Sequence, residues 1–155
     1  MIYLKYLLYI LKHKWYVFLE CVKEGILIRG ITHDLSKFRI DEFIPYAEYF
    51  YGNGSKQAFD RAWEKHKARN SHHPEHWELV FDGYTNAKEM PEKDRLEMLC
   101  DWNAMSKTQG GTTLEYYEEK GHNNILHNNT RKWLENRLGY DGKLKTTIGE
   151  RIDFG

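Results

Sequence analysis

Histidine and aspartate side chains recur along this sequence in a pattern that suits metal binding. Neutral imidazoles and carboxylates are natural ligands for Fe, Mn, Zn, Co and Ni. The candidate ligands are, in chain order, His13, His33, Asp34, His66, His72, His73 and Asp101. We therefore predict that the chain binds one or two divalent transition metals.

Three of these side chains lie on predicted apolar helix faces. His13 shares a stripe with Ile10 and Val17 at helical spacing, and His66 and Asp101 lie on similar stripes of two further helices. A single buried histidine is usually a hydrogen-bonded core residue. Several buried imidazoles and carboxylates would each need a partner, whereas one shared metal cluster satisfies them together. The pattern therefore favours a metal site.

The adjacent residues His33 and Asp34 can serve two metals. We predict Thr32 as the N-cap of a helix, with His33 and Asp34 in its first turn. Neighbouring side chains on a helix diverge by about 100°, so the pair reaches different sides of a cluster. A carboxylate can bridge two metals about 3.5–4 Å apart, which together hold a phosphate and activate a water.

The doublet His72-His73 is predicted at the entrance of a helix. Pro74 favours the first turn of a helix and pushes the residue before it towards an extended backbone. His76, one turn later, is a further candidate ligand, although a partly exposed histidine beside Trp77 fits the same pattern. The sequence leaves open which of these histidines binds metal.

The elements that position these residues are predicted to be helices. Helical periodicity covers residues 2–24, a stretch from Thr32 to about residue 50, residues 55–69, a segment from Pro74, a segment opening at Pro91, and residues 113–138. No run of alternating β-branched residues indicates a strand. We therefore predict an all-α fold, a compact bundle of about six helices in residues 1–138, and an extended or partly disordered tail over residues 139–155.

Composition restricts the class of protein. The 155 residues carry 23 basic and 23 acidic side chains, so a net charge of zero gives no strong case for nucleic acid as a partner. Lysines interrupt the apolar N-terminal segment, which argues against a membrane span, and the segment lacks a signal-peptide cleavage site. Cys21 and Cys100 fall in apolar helical patterns typical of buried reduced thiols. We predict a cytoplasmic protein of undetermined oligomeric state that does not bind membranes.

The order of the candidate ligands resembles the HD-domain superfamily of metal-dependent phosphohydrolases, which is named for its His-Asp doublet. The segment HDLSKF is similar to the HD-x-G-K form of the dinuclear members, and the histidines after residue 60 resemble the additional ligands of the HD-GYP cyclic-dinucleotide phosphodiesterases. The resemblance covers residues 13 to about 101 and implies an HD-domain-like, all-helical fold. HDLSKF and HHPEHW together also resemble an uncharacterised phage and bacterial family described as a domain of unknown function.

The sequence departs from these patterns at informative positions. Ser36 stands where the superfamily usually has glycine, and HHPEHW lacks the G-Y-P signature, which argues against cyclic di-GMP as the substrate. Lys37 stands where the single-metal nucleotidases of the superfamily often carry glutamate. The lysine at this position favours a dinuclear centre over a mononuclear one.

The resemblance implies a phosphohydrolase acting on a nucleotide, a cyclic nucleotide or another small phosphate ester, with a metal-activated hydroxide as the nucleophile. Asp34 and Lys37 would be catalytic, and Lys37 would also anchor the substrate phosphate. Helical spacing from Asp34 places Glu42 and Tyr46 near the same face. There they could bind substrate or hydrogen-bond a ligating histidine, although a surface glutamate and a core-edge tyrosine fit the same spacing.

Two other functions fit the same ligands. Diiron oxygenases of the superfamily, which resemble inositol oxygenase, keep four histidines and two aspartates on the HD core and use O₂. A non-catalytic module would bind a metal or nucleotide without turnover. Metal identity and stoichiometry, with substrate-dependent oxygen uptake, separate these functions from hydrolysis.

Overall fold

The structure is a computed structural model and describes residues 1–142. Its α-helices are α1 (Ile2–Lys23), α2 (Leu27–Thr32), α3 (Ile40–Tyr51), α4 (Lys56–Arg69), α5 (Glu92–Gln109), α6 (Thr113–Glu119) and α7 (Asn128–Leu138). A hairpin of strands β1 (Glu78–Phe81) and β2 (Tyr84–Ala87) lies between α4 and α5. The predicted all-α class is confirmed over the described residues.

Helix α1 is the central element, and its predicted extent is confirmed. It packs against α2, α3 and α5, and it ends next to Gly25, whose φ of +73° suits a residue without a Cβ. Its buried stripe includes Tyr6, Ile10, His13 and Val17. The stripe therefore carries one imidazole into the interior between apolar residues, as its periodicity predicts.

Three apolar clusters surround the centre of the molecule. One joins α1, α3 and α4 around Ile10 and Tyr46, and a second joins α1 and α5 around Val17 and Cys100. The third lies around Trp102 between α5, α6 and α7. His13 follows Ile10 of the first cluster and precedes Val17 of the second on the α1 stripe, so the polar centre lies where these clusters meet.

The predicted start of a helix at Thr32 is wrong, because the helix predicted to run to about residue 50 begins only at Ile40, as α3. Thr32 is the last residue of α2, and its hydroxyl donates to the Ile28 carbonyl at 2.9 Å rather than capping a new helix. His33 and Asp34 follow at the junction between α2 and a short 3₁₀-helix, Leu35–Phe38. The segment before Thr32 is helical and lies close to α1 at Gly30, where an added Cβ would be 2.8 Å from Cys21 Cβ. The two side chains therefore diverge because of a sharp turn and not because of helical spacing.

The N-terminus of α4 and the beginning of α5 agree with the prediction. The Ser55 hydroxyl accepts a hydrogen bond from the Ala58 amide at 3.2 Å and caps α4. Pro91 is the residue before α5. These helices carry His66 and Asp101 on their inward sides, and the predicted segment 113–138 forms α6 and α7.

The helix predicted after Pro74 is also wrong, as is the expectation of no strands. Pro74–Trp77 forms one 3₁₀ turn, and the β1–β2 hairpin follows it. The turn residues Asp82 and Gly83 both have positive φ, +46° and +81°, which is the conformation of a type I′ hairpin turn. The strands were missed because they are short and mostly exposed, so they lack an alternating apolar pattern.

The end of the chain was predicted as a tail from residue 139. Gly139 ends α7 in the left-handed region, and the ring of Tyr140 packs 5.3 Å from that of Tyr117. The remainder of the predicted tail, residues 143–155, lies outside the described residues. Among the helices of the described part, none is long and apolar enough to cross a membrane.

Candidate metal centre

The fold brings together the residues predicted to bind metal, although they come from separate elements. Helix α1 supplies His13, the α2 junction supplies His33 and Asp34, and α5 supplies Asp101. The other three are His66 near the end of α4 and the doublet His72-His73 that follows it. Five of the seven are buried, and the side chains of Asp101 and His73 are partly buried, so the cluster forms a polar centre inside an apolar protein.

The first group of candidate ligands consists of His13, His33 and Asp101. One potential ligand atom from each lies within 4.8 Å of the others. His33 Nε2 is 3.7 Å from Asp101 Oδ1, and His13 Nε2 is 2.9 Å from the same oxygen. His13 can therefore be a ligand or donate a hydrogen bond to Asp101.

The second group consists of Asp34, His66, His72 and His73, whose potential ligand atoms also lie within 4.8 Å of one another. Asp34 Oδ1 is 3.3 Å from His66 Nε2 and 3.4 Å from His72 Nε2. His66 Nε2 and His73 Nε2 face each other at 2.9 Å. Both histidines of the doublet thus point at one centre.

Asp34 connects the two groups. Its Oδ2 lies 3.4 Å from His33 Nε2 of the first group, while its Oδ1 faces the second group. The backbone of Asp34 is left-handed, with φ of +52°, which is uncommon outside glycine but tolerated by aspartate. This turn directs the carboxylate inward, so each oxygen meets a different set of imidazoles.

The spacing of these atoms fits a shared metal. Ligands bound at about 2.1 Å from a transition metal lie about 3.0–3.4 Å from one another in octahedral or tetrahedral geometry, and the observed separations of 2.9–3.8 Å bracket that range. Within residues 1–142, Asp34 Oδ1, His33 Nε2 and His72 Nε2 are buried without a hydrogen-bond partner. Buried polar atoms are rarely left this way, because desolvation without a partner is unfavourable. The residues therefore fit a metal centre; that they bind one stays a prediction.

Glu97 is a functional candidate that the sequence analysis missed. Its Oε1 accepts hydrogen bonds from His33 Nδ1 at 2.9 Å and is 3.3 Å from His72 Nδ1. Both rings thereby direct Nε2 to the cluster, the arrangement in which carboxylates typically orient metal-binding histidines. Arg29 donates to Glu97 Oε2 at 3.1 Å and to Asp94 at 2.7 Å. With this guanidinium beside it, Glu97 is better placed to orient histidines than to bind a cation itself.

Glu42 orients His66 in the same way. The carboxylate is fully buried and accepts a hydrogen bond from His66 Nδ1 at 2.9 Å, which leaves Nε2 directed to the cluster. Ser36 donates to Glu42 at 2.8 Å and Arg69 donates at 2.6 Å. From the sequence, Glu42 was predicted either to bind substrate or to hydrogen-bond a ligating histidine. In the structure it hydrogen-bonds His66.

Lys37 lies at the edge of the cluster, with its Nζ 2.8 Å from Asp34 Oδ2 and its side chain 18% exposed. Its Nζ is also 5.9 Å from the ring centroid of Tyr46, which is buried. Lys37 therefore connects the candidate centre with solvent on one side and with buried tyrosines on the other. The predicted substrate roles of Lys37 and Tyr46 stay predictions.

The electrostatics of the cluster favour ionised carboxylates. Burial alone would raise the pKa of Asp34, but the His33 ring when it is protonated and the Lys37 ammonium outweigh burial and hold that pKa well below its usual range. With His33 neutral, the Lys37 ammonium is the charge beside Asp34. Burial lowers the pKa of His33 and His73, which favours neutral imidazoles. His72 differs, because hydrogen bonding to Glu97 and the charge of Asp34 outweigh burial and raise its pKa. Protons and metals should therefore compete most strongly at His72.

The remaining histidines lie away from the centre. His76 Nδ1 donates to the Lys67 carbonyl at 2.9 Å on the surface, whereas His72 and His73 both lie in the cluster. Which of them binds metal stays a prediction. His127 accepts from the Asn129 amide at 3.2 Å and caps α7. His122 contacts the Tyr117 carbonyl.

Fold and site together define an all-α protein with a buried centre of histidines and carboxylates. The chain belongs to a family described as a family of unknown function (DUF5662), which matches residues 3–140. No curated protein and no solved structure matches it significantly. The resemblance to the HD-domain superfamily stays a prediction.

Proposed function

We propose that this protein is a metal-dependent phosphohydrolase acting on a nucleotide, a cyclic nucleotide or another small phosphate ester. The observation that carries the proposal is the convergence of His33 Nε2, His72 Nε2 and Asp34 Oδ1, which are buried without hydrogen-bond partners within residues 1–142. Neutral imidazoles and a carboxylate in this arrangement attract Fe, Mn, Zn, Co or Ni.

The two ligand groups on either side of Asp34 support a dinuclear centre. When bound, such a centre activates a water and stabilises the charge that develops on the leaving oxygen. The protein's part is to hold the ligands in place: Glu97 fixes two imidazoles and Glu42 fixes a third. Fixed ligands reduce the reorganisation that the reaction would otherwise require.

Lys37 supplies a positive charge beside this centre. Its ammonium lies next to Asp34 and is partly exposed, where a phosphate ester entering from solvent would meet it. Burial acts against the charge, but Asp34 more than compensates and raises the Lys37 pKa, so the ammonium stays protonated at neutral pH. Lys37 would thus hold a phosphate oxygen by a charge-assisted hydrogen bond.

A cytoplasmic location is part of the proposal. Cys21 and Cys100 are both buried, free thiols within one apolar cluster. Thiols that remain reduced are typical of a reducing compartment.

The proposal is tested with metal analysis followed by a substrate screen. Protein purified without added metal should contain up to two transition-metal ions per chain, and the loaded protein should release phosphate or an alcohol from a member of the panel. Asp34→Asn keeps the size and left-handed tolerance of the residue but removes the charge, so it should retain the helical circular dichroism spectrum and lose most metal and activity. Asp60→Asn is the matched control, because Asp60 is an exposed carboxylate on α4.

Three outcomes would contradict the proposal. Two bound irons with substrate-dependent oxygen uptake would indicate the diiron oxygenase. Tight ligand binding without turnover under Mn, Co, Ni, Zn or Fe would indicate a non-catalytic module. Unchanged activity in Asp34→Asn would overturn the site.

A further inference from the structure

Two buried tyrosines lie side by side next to the candidate metal centre. Tyr6 on α1 is 2% exposed and Tyr46 on α3 is 5% exposed. Their rings stack with centroids 6.0 Å apart, and the ring of Tyr46 lies 6.0 Å from that of His66. The pair therefore forms one wall of the polar centre.

Neither phenol hydroxyl has a hydrogen-bond partner among the residues that the structure describes. This is unusual, because a buried tyrosine hydroxyl normally finds a partner. Phenylalanine would fill the same space without burying an unpaired polar group, so packing alone does not explain two tyrosines here. Two unpaired hydroxyls on a pair of stacked rings indicate a ligand that would bind them.

The surroundings of the pair determine which ligand fits. Lys37 Nζ lies 5.9 Å from the Tyr46 ring and 2.8 Å from Asp34. Phenol hydroxyls are protonated at neutral pH, so an unpaired one can donate a hydrogen bond. Two O–H donors and one ammonium suit an anionic oxygen acceptor.

We propose that Tyr6, Tyr46 and Lys37 form an oxyanion subsite that binds a non-reacting oxygen of a phosphate group held at the metal centre. The inference rests on the proposed function and specifies its substrate contacts. In this arrangement each hydroxyl donates one hydrogen bond to the phosphate, while Lys37 balances its charge. Lys37 is the partly exposed member of this subsite, with 18% of its side chain accessible.

The test removes one hydroxyl at a time and uses inorganic phosphate as the probe. Tyr6→Phe and Tyr46→Phe are compared with Tyr3→Phe, whose hydroxyl donates to Glu48 on the surface of the same aromatic region. Isothermal titration calorimetry of the Mn²⁺-loaded proteins gives the phosphate Kd. Melting of the metal-free proteins and metal stoichiometry are the second and third readouts.

Each of the two site variants should weaken phosphate binding about tenfold, since each loses one hydrogen bond to a charged group. Metal stoichiometry should not change. The metal-free variants should melt a few degrees higher than the wild type, because an unpaired buried hydroxyl has been removed. Tyr3→Phe should keep the wild-type Kd.

An unchanged phosphate Kd in both site variants, with wild-type protein that binds phosphate and hydrolyses esters, would overturn the subsite and leave the proposed function standing. Loaded wild-type protein that neither binds phosphate nor hydrolyses any ester would overturn both. Loss of metal in the variants would instead assign the tyrosines to positioning the ligands and would also overturn the subsite.

Discussion

At the scale of single residues, Glu97 contacts two of the candidate ligands, His33 and His72. Its Oε1 atom lies 2.9 Å from Nδ1 of His33 and 3.3 Å from Nδ1 of His72. Its Oε2 atom accepts a hydrogen bond from Arg29. Replacing it with glutamine keeps the size but removes the charge, and an amide oxygen orients the two rings less firmly. Glu97→Gln should weaken metal binding about 10–100-fold, measured by competition with a chelator. Glu92→Gln, an exposed position on the same helix, is the control; equal affinities would contradict the orienting role.

Glu97 should also make stability depend on pH. Burial opposes ionisation, but hydrogen bonds from His33 and His72 lower its pKa from 4.5 to about 2. A depressed folded pKa gives stability that is present above about pH 4.5 and is lost as pH falls towards about 2. In metal-free protein, the free energy of unfolding should fall by about 2–3 kcal/mol more in the wild type than in Glu97→Gln over this window. Urea titrations at several pH values measure the difference, and parallel curves would refute it.

Sequence patterns predict some of these residues better than others. His13, His66 and Asp101 are predictable because each interrupts an apolar stripe whose burial follows from periodicity. Glu97 follows a run of charged residues at the start of α5. A carboxylate in such a segment is normally predicted to be exposed to solvent. Its burial depends on Arg29, which comes from α2. That partnership is set by tertiary packing, and the one local signal of the role of Glu97 is its position one helical turn before Asp101.

At the scale of elements, α2 positions His33 by its close approach to α1. Lys14 of α1 donates to the carbonyls of His33 and Ile31, which ties the end of α2 to α1. Gly30 permits this approach, because an added Cβ would lie 2.8 Å from Cys21 Cβ and 3.1 Å from Phe18 Cα. Neither atom can move by a change of side-chain rotamer alone. The α1–α2 contact is therefore a second, indirect determinant of the metal centre.

Gly30→Ala should consequently destabilise the protein even though alanine favours helices. Overpacking at this contact should lower the free energy of unfolding by about 1–3 kcal/mol. The higher helix propensity of alanine offsets less than about 1 kcal/mol of this loss. Chemical denaturation measures the change. Ile28→Ala is the control, since Ile28 lies in the same helix and is 69% exposed. A Gly30→Ala protein as stable as the wild type would show that α2 has room to shift.

Among the elements, the long helices were predictable and the short connections were not. Helices α1, α4 and α5 have clear helical periodicity. Ser55 and Pro91 mark where α4 and α5 begin. The helix start predicted at Thr32 was wrong because threonine, a good N-cap residue, can equally be the last residue of a preceding helix. The hairpin was not predicted because its strands are exposed and lack alternating apolar residues. The Asp82-Gly83 turn is the strongest local signal of the hairpin, and it does not identify strands by itself.

At the scale of the whole molecule, the centre joins α1, α2, α4 and α5, so metal binding should stabilise the fold. A metal present at about 1,000 times its Kd adds about 4 kcal/mol, which corresponds to about 8–16 °C in Tm for a chain of this size. Thermal melts with and without a chelator, followed by addition of Mn²⁺ or Zn²⁺, measure this. Mg²⁺ is the control because it prefers oxygen ligands. Identical melting curves in all conditions would contradict a metal at this centre.

Asp34 also limits which amino acids its position can accept. Its left-handed backbone excludes most side chains, and β-branched ones above all. Glycine satisfies the backbone but provides no ligand, asparagine provides a single neutral oxygen, and glutamate brings the charge on a longer stem that disfavours this φ. In a library of all twenty residues at position 34, selection for activity should therefore retain aspartate alone, whereas selection for folding should also admit asparagine and glycine.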